Sequence, residues 1–144
     1  MQQVKIIECP RDAMQGIKTW IPTEQKVKYI QSLLRCGFDT IDFGSFVSPK
    51  AIPQMQDTAE VLSKLDLSTT KSKLLAIIAN LRGAEDAVKH PEIDYLGYPF
   101  SISENFQMRN THKTIAESLV ILQEILNLAY KNNKEVVAYL SMGF

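Results

Sequence analysis

The sequence predicts an α/β protein of the (β/α)8 TIM-barrel type, with about the first five strands and four helices of such a barrel present. Three observations predict it. Short runs rich in β-branched and aromatic residues alternate with longer stretches of helical period, the mark of βαβ units around a parallel sheet. Several of these runs are apolar on both faces, as strands buried under helices are. The last run closes the chain at Phe144 with no helix after it. A complete doubly wound domain would not stop there, whereas the early part of a barrel of about 250 residues can.

The runs VKIIEC (Val4 to Cys9), FDTIDFG (Phe38 to Gly44), KLLAIIAN (Lys73 to Asn80), IDYLGYPF (Ile93 to Phe100) and EVVAYLSMGF (Glu135 to Phe144) are the expected strands. Between the first two, Thr23 reads as an N-cap, Val27, Ile30, Leu33 and Leu34 recur at helical spacing, and Gly37 reads as the stop. Further helices are expected over Asp57 to Leu65, Leu81 to Lys89 and Thr111 to Lys131. The last carries Ile115, Leu119, Leu122, Ile125, Leu126 and Ala129 along one face.

With 144 residues, 45% of them hydrophobic and 22% charged, the chain has the bulk of one domain, taken as residues 1–144. Sixteen basic residues balance sixteen acidic ones with no basic cluster, so the footprint of a nucleic-acid or anionic-membrane binder is missing and a small-molecule partner is expected. The longest apolar runs are strand-sized, below the roughly 20 residues of a bilayer-spanning helix, and no leader-like segment opens the chain. A cytoplasmic protein with no membrane partner follows as the expectation. Cys9 and Cys36 show no paired spacing and read as reduced thiols.

In this fold class ligands bind at the carboxyl ends of the strands. Polar residues cluster there: Arg11, Asp12, Gln15 and Lys18 after the first run; Asp42, Ser45, Ser48 and Lys50 within and after the second; Asn80; Ser101, Ser103, Glu104 and Asn105; and Ser141. Arg11 beside Asp12 suits chemistry in which a hard cation and a fork-shaped guanidinium together stabilise a developing oxyanion. A loop-capping ion pair explains the same two residues equally well. The connection SFVSPKAIPQM, Ser45 to Met55, is long for a compact domain, and its Phe46, Val47, Ile52 and Met55 argue against disorder. It reads either as a binding loop or as a packed seal. No His-x-His pair and no glycine-rich phosphate loop occur. His90 before Pro91 reads as a helix-end cap and His112 as solvated.

Taken together, PRDAMQ (Pro10 to Gln15), SFVSPKAIPQM (Ser45 to Met55) and SISENFQMRN (Ser101 to Asn110) resemble the hydroxymethylglutaryl-CoA lyases of the metal-dependent, Claisen-type TIM-barrel superfamily. The similarity runs from about Val4 to the chain's end, as the N-terminal portion of a lyase-type barrel. It implies Mg²⁺- or Mn²⁺-assisted retro-Claisen cleavage of 3-hydroxy-3-methylglutaryl-CoA, an acyl-CoA substrate, to acetyl-CoA and acetoacetate, as in leucine degradation. By the same resemblance Asp12 matches a metal-ligating aspartate, and Arg11 the arginine that polarises the thioester carbonyl. Asp42 falls where the family has a catalytic-site glutamate, one methylene longer. Gln15, Lys18 and Ser45 match pocket-lining positions. The family's histidine pair, its asparagine ligand and its glycine-loop cysteine come from later strands and have no counterpart here, so the 144 residues alone are expected to be inactive. Two other readings stay open: a lyase or aldolase acting on another 3-hydroxyacyl-CoA, and a non-catalytic half barrel that binds a partner or forms a homodimer to cover its unpaired edge strands.

Overall fold

In the computed structural model, residues 4–143 are described, and they form two compact units, Met1–Leu75 and Ala76–Phe144. The first unit holds β1 (Ile7–Glu8), α1 (Pro10–Gln15), α2 (Thr23–Leu34), β2 (Thr40–Ser45), a 3-10 turn at Pro53–Met55, α3 (Thr58–Ser63) and the start of β3 (Lys73–Ile77). The second continues β3 and adds α4 (Leu81–Ala87), β4 (Tyr95–Ser101), α5 (Glu104–Thr111), α6 (Ile115–Lys131) and β5 (Glu135–Ser141). Strand order follows chain order, β1-β2-β3-β4-β5. β1 pairs parallel with β2, Ile7 opposite Thr40, and β4 pairs parallel with β5, Tyr95 opposite Glu135. Sequential parallel neighbours joined by helices are the barrel's connectivity, in contrast to the reversed order of a doubly wound sheet.

Within the first unit, β2 is buried along its whole length, with Ile41 and Phe43 in the core and Asp42 at no exposure between them. Gly44 follows. A Cβ there would lie 2.5 Å from Thr58 Cγ2 and 2.9 Å from Thr58 Oγ1, so only glycine lets α3 begin against the end of β2. Thr58 is itself fixed, because its hydroxyl donates to Met55 O at 2.8 Å and accepts from Ser45 N at 3.0 Å.

Several local readings are corrected. No helix is expected over Pro10 to Gln15, yet the segment is a short helix, because a proline at the first helical position sacrifices only an N–H that had no intrahelical partner. The first strand shrinks from Val4–Cys9 to Ile7–Glu8, although Ile6 O still accepts from Asp39 N at 3.1 Å. Thr23 does not cap α2: Pro22 occupies the N-cap, and the Thr23 hydroxyl donates to Asp57 Oδ2 at 2.8 Å. Gly37, at φ +80, does turn the chain after α2. The helix expected over Thr111 to Lys131 is present as α6, starting at Ile115, and a further short helix, α5, precedes it. α5 ends at His112, left-handed at φ 56, and Thr114 starts α6 with a capping box closed by Glu117. The described helices therefore number six, where four were expected. The fifth strand ends at Ser141, and Phe144, the end of the expected run, lies outside the described residues.

Among the described residues no helix is long and apolar enough to cross a membrane.

Candidate active site

Cys9 ends the β1 segment and serves as the N-cap position of α1, whose first turn puts Arg11 and Asp12 directly beyond a strand end. The Arg11 side chain is only 10% exposed, and it turns onto β2, where Asp42 is fully buried. The two meet as a fork. Arg11 Nε donates to Asp42 Oδ1 at 3.1 Å, and Arg11 NH2 donates to Asp42 Oδ2 at 2.6 Å. Charges taken from water to this depth persist only when paired and hydrogen-bonded, and the planar guanidinium matches a carboxylate at two points. Arg11 is thus held by a buried carboxylate in mid-strand as well as by the neighbouring, exposed Asp12 that a loop-capping pair would use.

The third guanidinium nitrogen faces the other way. Arg11 NH1 donates to Asp12 Oδ1 at 3.1 Å and to Gln15 Oε1 at 2.9 Å, and Gln15 Nε2 donates to the same Asp12 oxygen at 3.0 Å. One turn of α1 thus makes a closed triangle of Arg11, Asp12 and Gln15, i to i+4 apart as a helix requires. The Asp12 side chain is 65% exposed, so the cluster runs from a buried carboxylate through a guanidinium to a carboxylate at the surface. Four of the six residues singled out from the sequence are gathered here. Lys18 is exposed beyond α1, and Ser45 is buried with its amide on Thr58 and its hydroxyl accepting from Val47 N at 3.1 Å, so both stand outside this hydrogen-bonded cluster.

Cys9 sits beside the cluster, half-buried. Burial, and then the Asp42 carboxylate, push its thiol above the ordinary value, which keeps it protonated and a weak nucleophile at neutral pH.

Asp12 can offer a carboxylate to a cation, but among the described residues no three His, Cys, Asp or Glu side chains gather to hold one. A hard divalent ion takes about six ligands. The described residues do not make a metal centre by themselves.

In the second unit the polar residues at the strand ends are occupied structurally. Asn80 Oδ1 caps α4 by accepting from Gly83 N at 2.9 Å, and the Ser103 hydroxyl caps α5. Ser101 is buried, with its amide on Gln107 Oε1 at 2.8 Å and its hydroxyl donating to Ser141 O at 3.0 Å. Glu104 accepts from Ile115 N at the start of α6.

Sequence reasoning missed a second buried polar group in the first unit. Lys26, 2% exposed, shares the inward stripe of α2 with Ile30 and Leu34. Its ammonium donates to Asp57 Oδ1 at 2.7 Å and to the Gln54 carbonyl, and lies 3.9 Å from the centroid of the Trp20 ring. Gln54, 4% exposed, holds three backbone groups of the segment after α1. A lysine and a glutamine give no apolar signal, and only their partners explain why they are inside.

No family model matches the chain. The hydroxymethylglutaryl-CoA lyase YngG of Bacillus subtilis is 37% identical to it over 135 residues, which cover 94% of this chain and 44% of the relative. The mitochondrial hydroxymethylglutaryl-CoA lyase of Macaca fascicularis is 38% identical over 143 residues, 97% of this chain and 43% of the relative. Among solved structures, an HMG-CoA lyase from Bacillus subtilis superposes with a TM-score of 0.89 at 37% identity, over 96% of this chain and 46% of that one. An HMG-CoA lyase from Acinetobacter baumannii in complex with coenzyme A and 3-methylmalate superposes with a TM-score of 0.86 at 32% identity, over 94% and 44%. The chain thus spans somewhat under half the length of these relatives, which it matches over roughly their N-terminal half. The fold class is that of a partial TIM barrel.

Proposed function

From a chain that aligns over almost its whole length with the N-terminal half of hydroxymethylglutaryl-CoA lyases, we propose that the polypeptide carrying it cleaves 3-hydroxy-3-methylglutaryl-CoA to acetyl-CoA and acetoacetate. The observation that carries the reading is the Arg11–Asp42 fork, which ties the turn just past β1 to the middle of β2, with Asp12 at its exposed edge.

In a retro-Claisen cleavage the tertiary hydroxyl loses its proton, the C2–C3 bond breaks, and its electrons pass through C2 to the thioester oxygen. C3 becomes the ketone of acetoacetate, and the enolate of acetyl-CoA takes up a proton at C2. The charge that develops on the thioester oxygen is what a fixed cation should meet. Arg11 has that role. Asp42 locks the guanidinium plane, so no reorganisation is needed as the charge appears. The NH1 edge, shared in this structure between Asp12 and Gln15, is the edge presented to the carbonyl, and Gln15 yields its acceptor place when substrate binds. Lys18 and Ser45 line the approach. Asp12 would be one ligand of Mg²⁺ or Mn²⁺, the others coming from outside the described residues, and the ion would supply Lewis-acid polarisation of the substrate.

The test is incubation of the native full-length polypeptide with 3-hydroxy-3-methylglutaryl-CoA and Mg²⁺ or Mn²⁺, with acetyl-CoA and acetoacetate measured in equal amounts. Cleavage only of some other 3-hydroxyacyl-CoA supports the aldolase alternative, and no cleavage of any acyl-CoA rejects both.

A further inference from the structure

The segment between α1 and α2 carries Lys18 but has neither helix nor strand, and an exposed stretch of that kind would ordinarily be mobile. Here it is held from one side chain. Gln54, in the 3-10 turn after β2, donates from Nε2 to Ile17 O at 2.9 Å and to Thr19 O at 3.0 Å, and its Oε1 accepts from Ile21 N at 3.0 Å. Two donors meet two carbonyls and the oxygen meets an N–H, so the amide fits in one orientation only. The two carbonyls flank Lys18. Gln54 is in turn held in place, because its own carbonyl accepts from the buried ammonium of Lys26.

We propose that Gln54 is a positioning residue: its side-chain amide clamps the backbone on both sides of Lys18 and thereby sets how tightly the acyl-CoA substrate binds. This rests on the reading of Lys18 as a substrate contact. A clamp of three hydrogen bonds from a nearly inaccessible amide restricts the directions the Lys18 side chain can take, so less freedom is lost when a negatively charged thioester ligand arrives.

The experiment uses the native full-length polypeptide and two variants of similar volume. Gln54→Met removes all three bonds, and Gln54→Glu keeps an acceptor for the Ile21 amide while turning a carboxylate toward two carbonyls. Hydrogen exchange of residues 17–21 should rise in both, with Ile21 itself rising less in Gln54→Glu. KM for 3-hydroxy-3-methylglutaryl-CoA should rise on the order of tenfold, the scale of one misplaced charged contact, with kcat within about threefold. In a Lys18→Ala background, which raises KM by itself, Gln54→Met should add nothing further. Unchanged exchange overturns the clamp. Equal KM increases from Gln54→Met with and without Lys18 overturn its action through Lys18, and so does a Gln54→Met that leaves KM alone. If Lys18→Ala leaves KM unchanged, the substrate reading of Lys18 fails instead, and a rise in KM from Gln54→Met would then show Gln54 acting elsewhere.

Discussion

Arg11 and Asp42, 31 positions apart in sequence, form a two-point ion pair, Nε to Oδ1 at 3.1 Å and NH2 to Oδ2 at 2.6 Å, with the carboxylate wholly removed from solvent. The pair ties Arg11, just past the end of β1 where this fold class binds ligands, to the middle of β2. Its depth makes it both structural and chemical: it fixes α1 against β2, and it holds a cation in one plane.

Replacing one partner should therefore cost more than a surface bridge would. Asp42→Asn keeps the shape and removes the charge, which leaves the buried side of the Arg11 guanidinium without a carboxylate and only the exposed Asp12 as its counter-ion. The expected loss is about 3–5 kcal/mol of unfolding free energy, read from urea denaturation. A loss under about 1 kcal/mol, typical of exposed pairs, would mean that water reaches the site.

Gly44 supports the same corner by being small. Gly44→Ala puts a methyl within 2.5 Å of a threonine that two hydrogen bonds hold in place, so the contact cannot be relieved by rotating Thr58 without breaking them. Overpacking of this kind costs about 1–3 kcal/mol, and denaturant midpoints of the variant and parent should show it. Pairing Gly44→Ala with Thr58→Ala should recover part of the loss.

How much of this was legible in the sequence depends on what kind of signal each feature leaves. β2 announces itself because β-branched and aromatic residues crowd FDTIDFG, and Gly37, expected as the stop of the preceding helix, turns the chain at φ +80 just after α2 has ended at Leu34. Arg11, Asp12, Gln15 and Asp42 came from the rule that polar residues past a strand end face the site, and the structure joins all four by hydrogen bonds. α1 did not announce itself, since six residues are too few to show a period and Pro10 reads as a breaker unless it stands at the first helical position. The start of the last helix lay hidden in Thr114-x-x-Glu117, a capping box three residues inside the expected start at Thr111. Gln54 and Lys26 were invisible for a deeper reason. A polar side chain is buried only where partners satisfy it, and those partners, Ile17, Thr19, Ile21 and Asp57, lie more than 25 residues away.

The capping box of α6 makes a stability prediction with a pH dependence. The Glu117 carboxyl is held below its ordinary value of 4.5, first by the Thr114 amide and then by the Thr114 hydroxyl. A carboxyl with a depressed folded value contributes stability that is fully present above the ordinary value and is lost as pH falls through the folded one. Thr114→Ala should cost about 1 kcal/mol at neutral pH. The gap between variant and parent in thermal midpoint should narrow as the solution is taken below pH 4.5. A gap that is constant down to strong acid would show that Glu117 takes no part in the cap.

The central claim is that Arg11, held by Asp42, carries the charge that develops on the thioester oxygen. The most direct measurement is kcat and KM of the Arg11→Lys variant of the native full-length polypeptide with 3-hydroxy-3-methylglutaryl-CoA. Lysine keeps the positive charge but cannot grip Asp42 with two nitrogens and still present a third. The account predicts kcat lower by about 10²–10³, the scale of a lost oxyanion donor, with KM changed only a few-fold. Turnover of the Arg11→Lys variant at the parent's rate would contradict it.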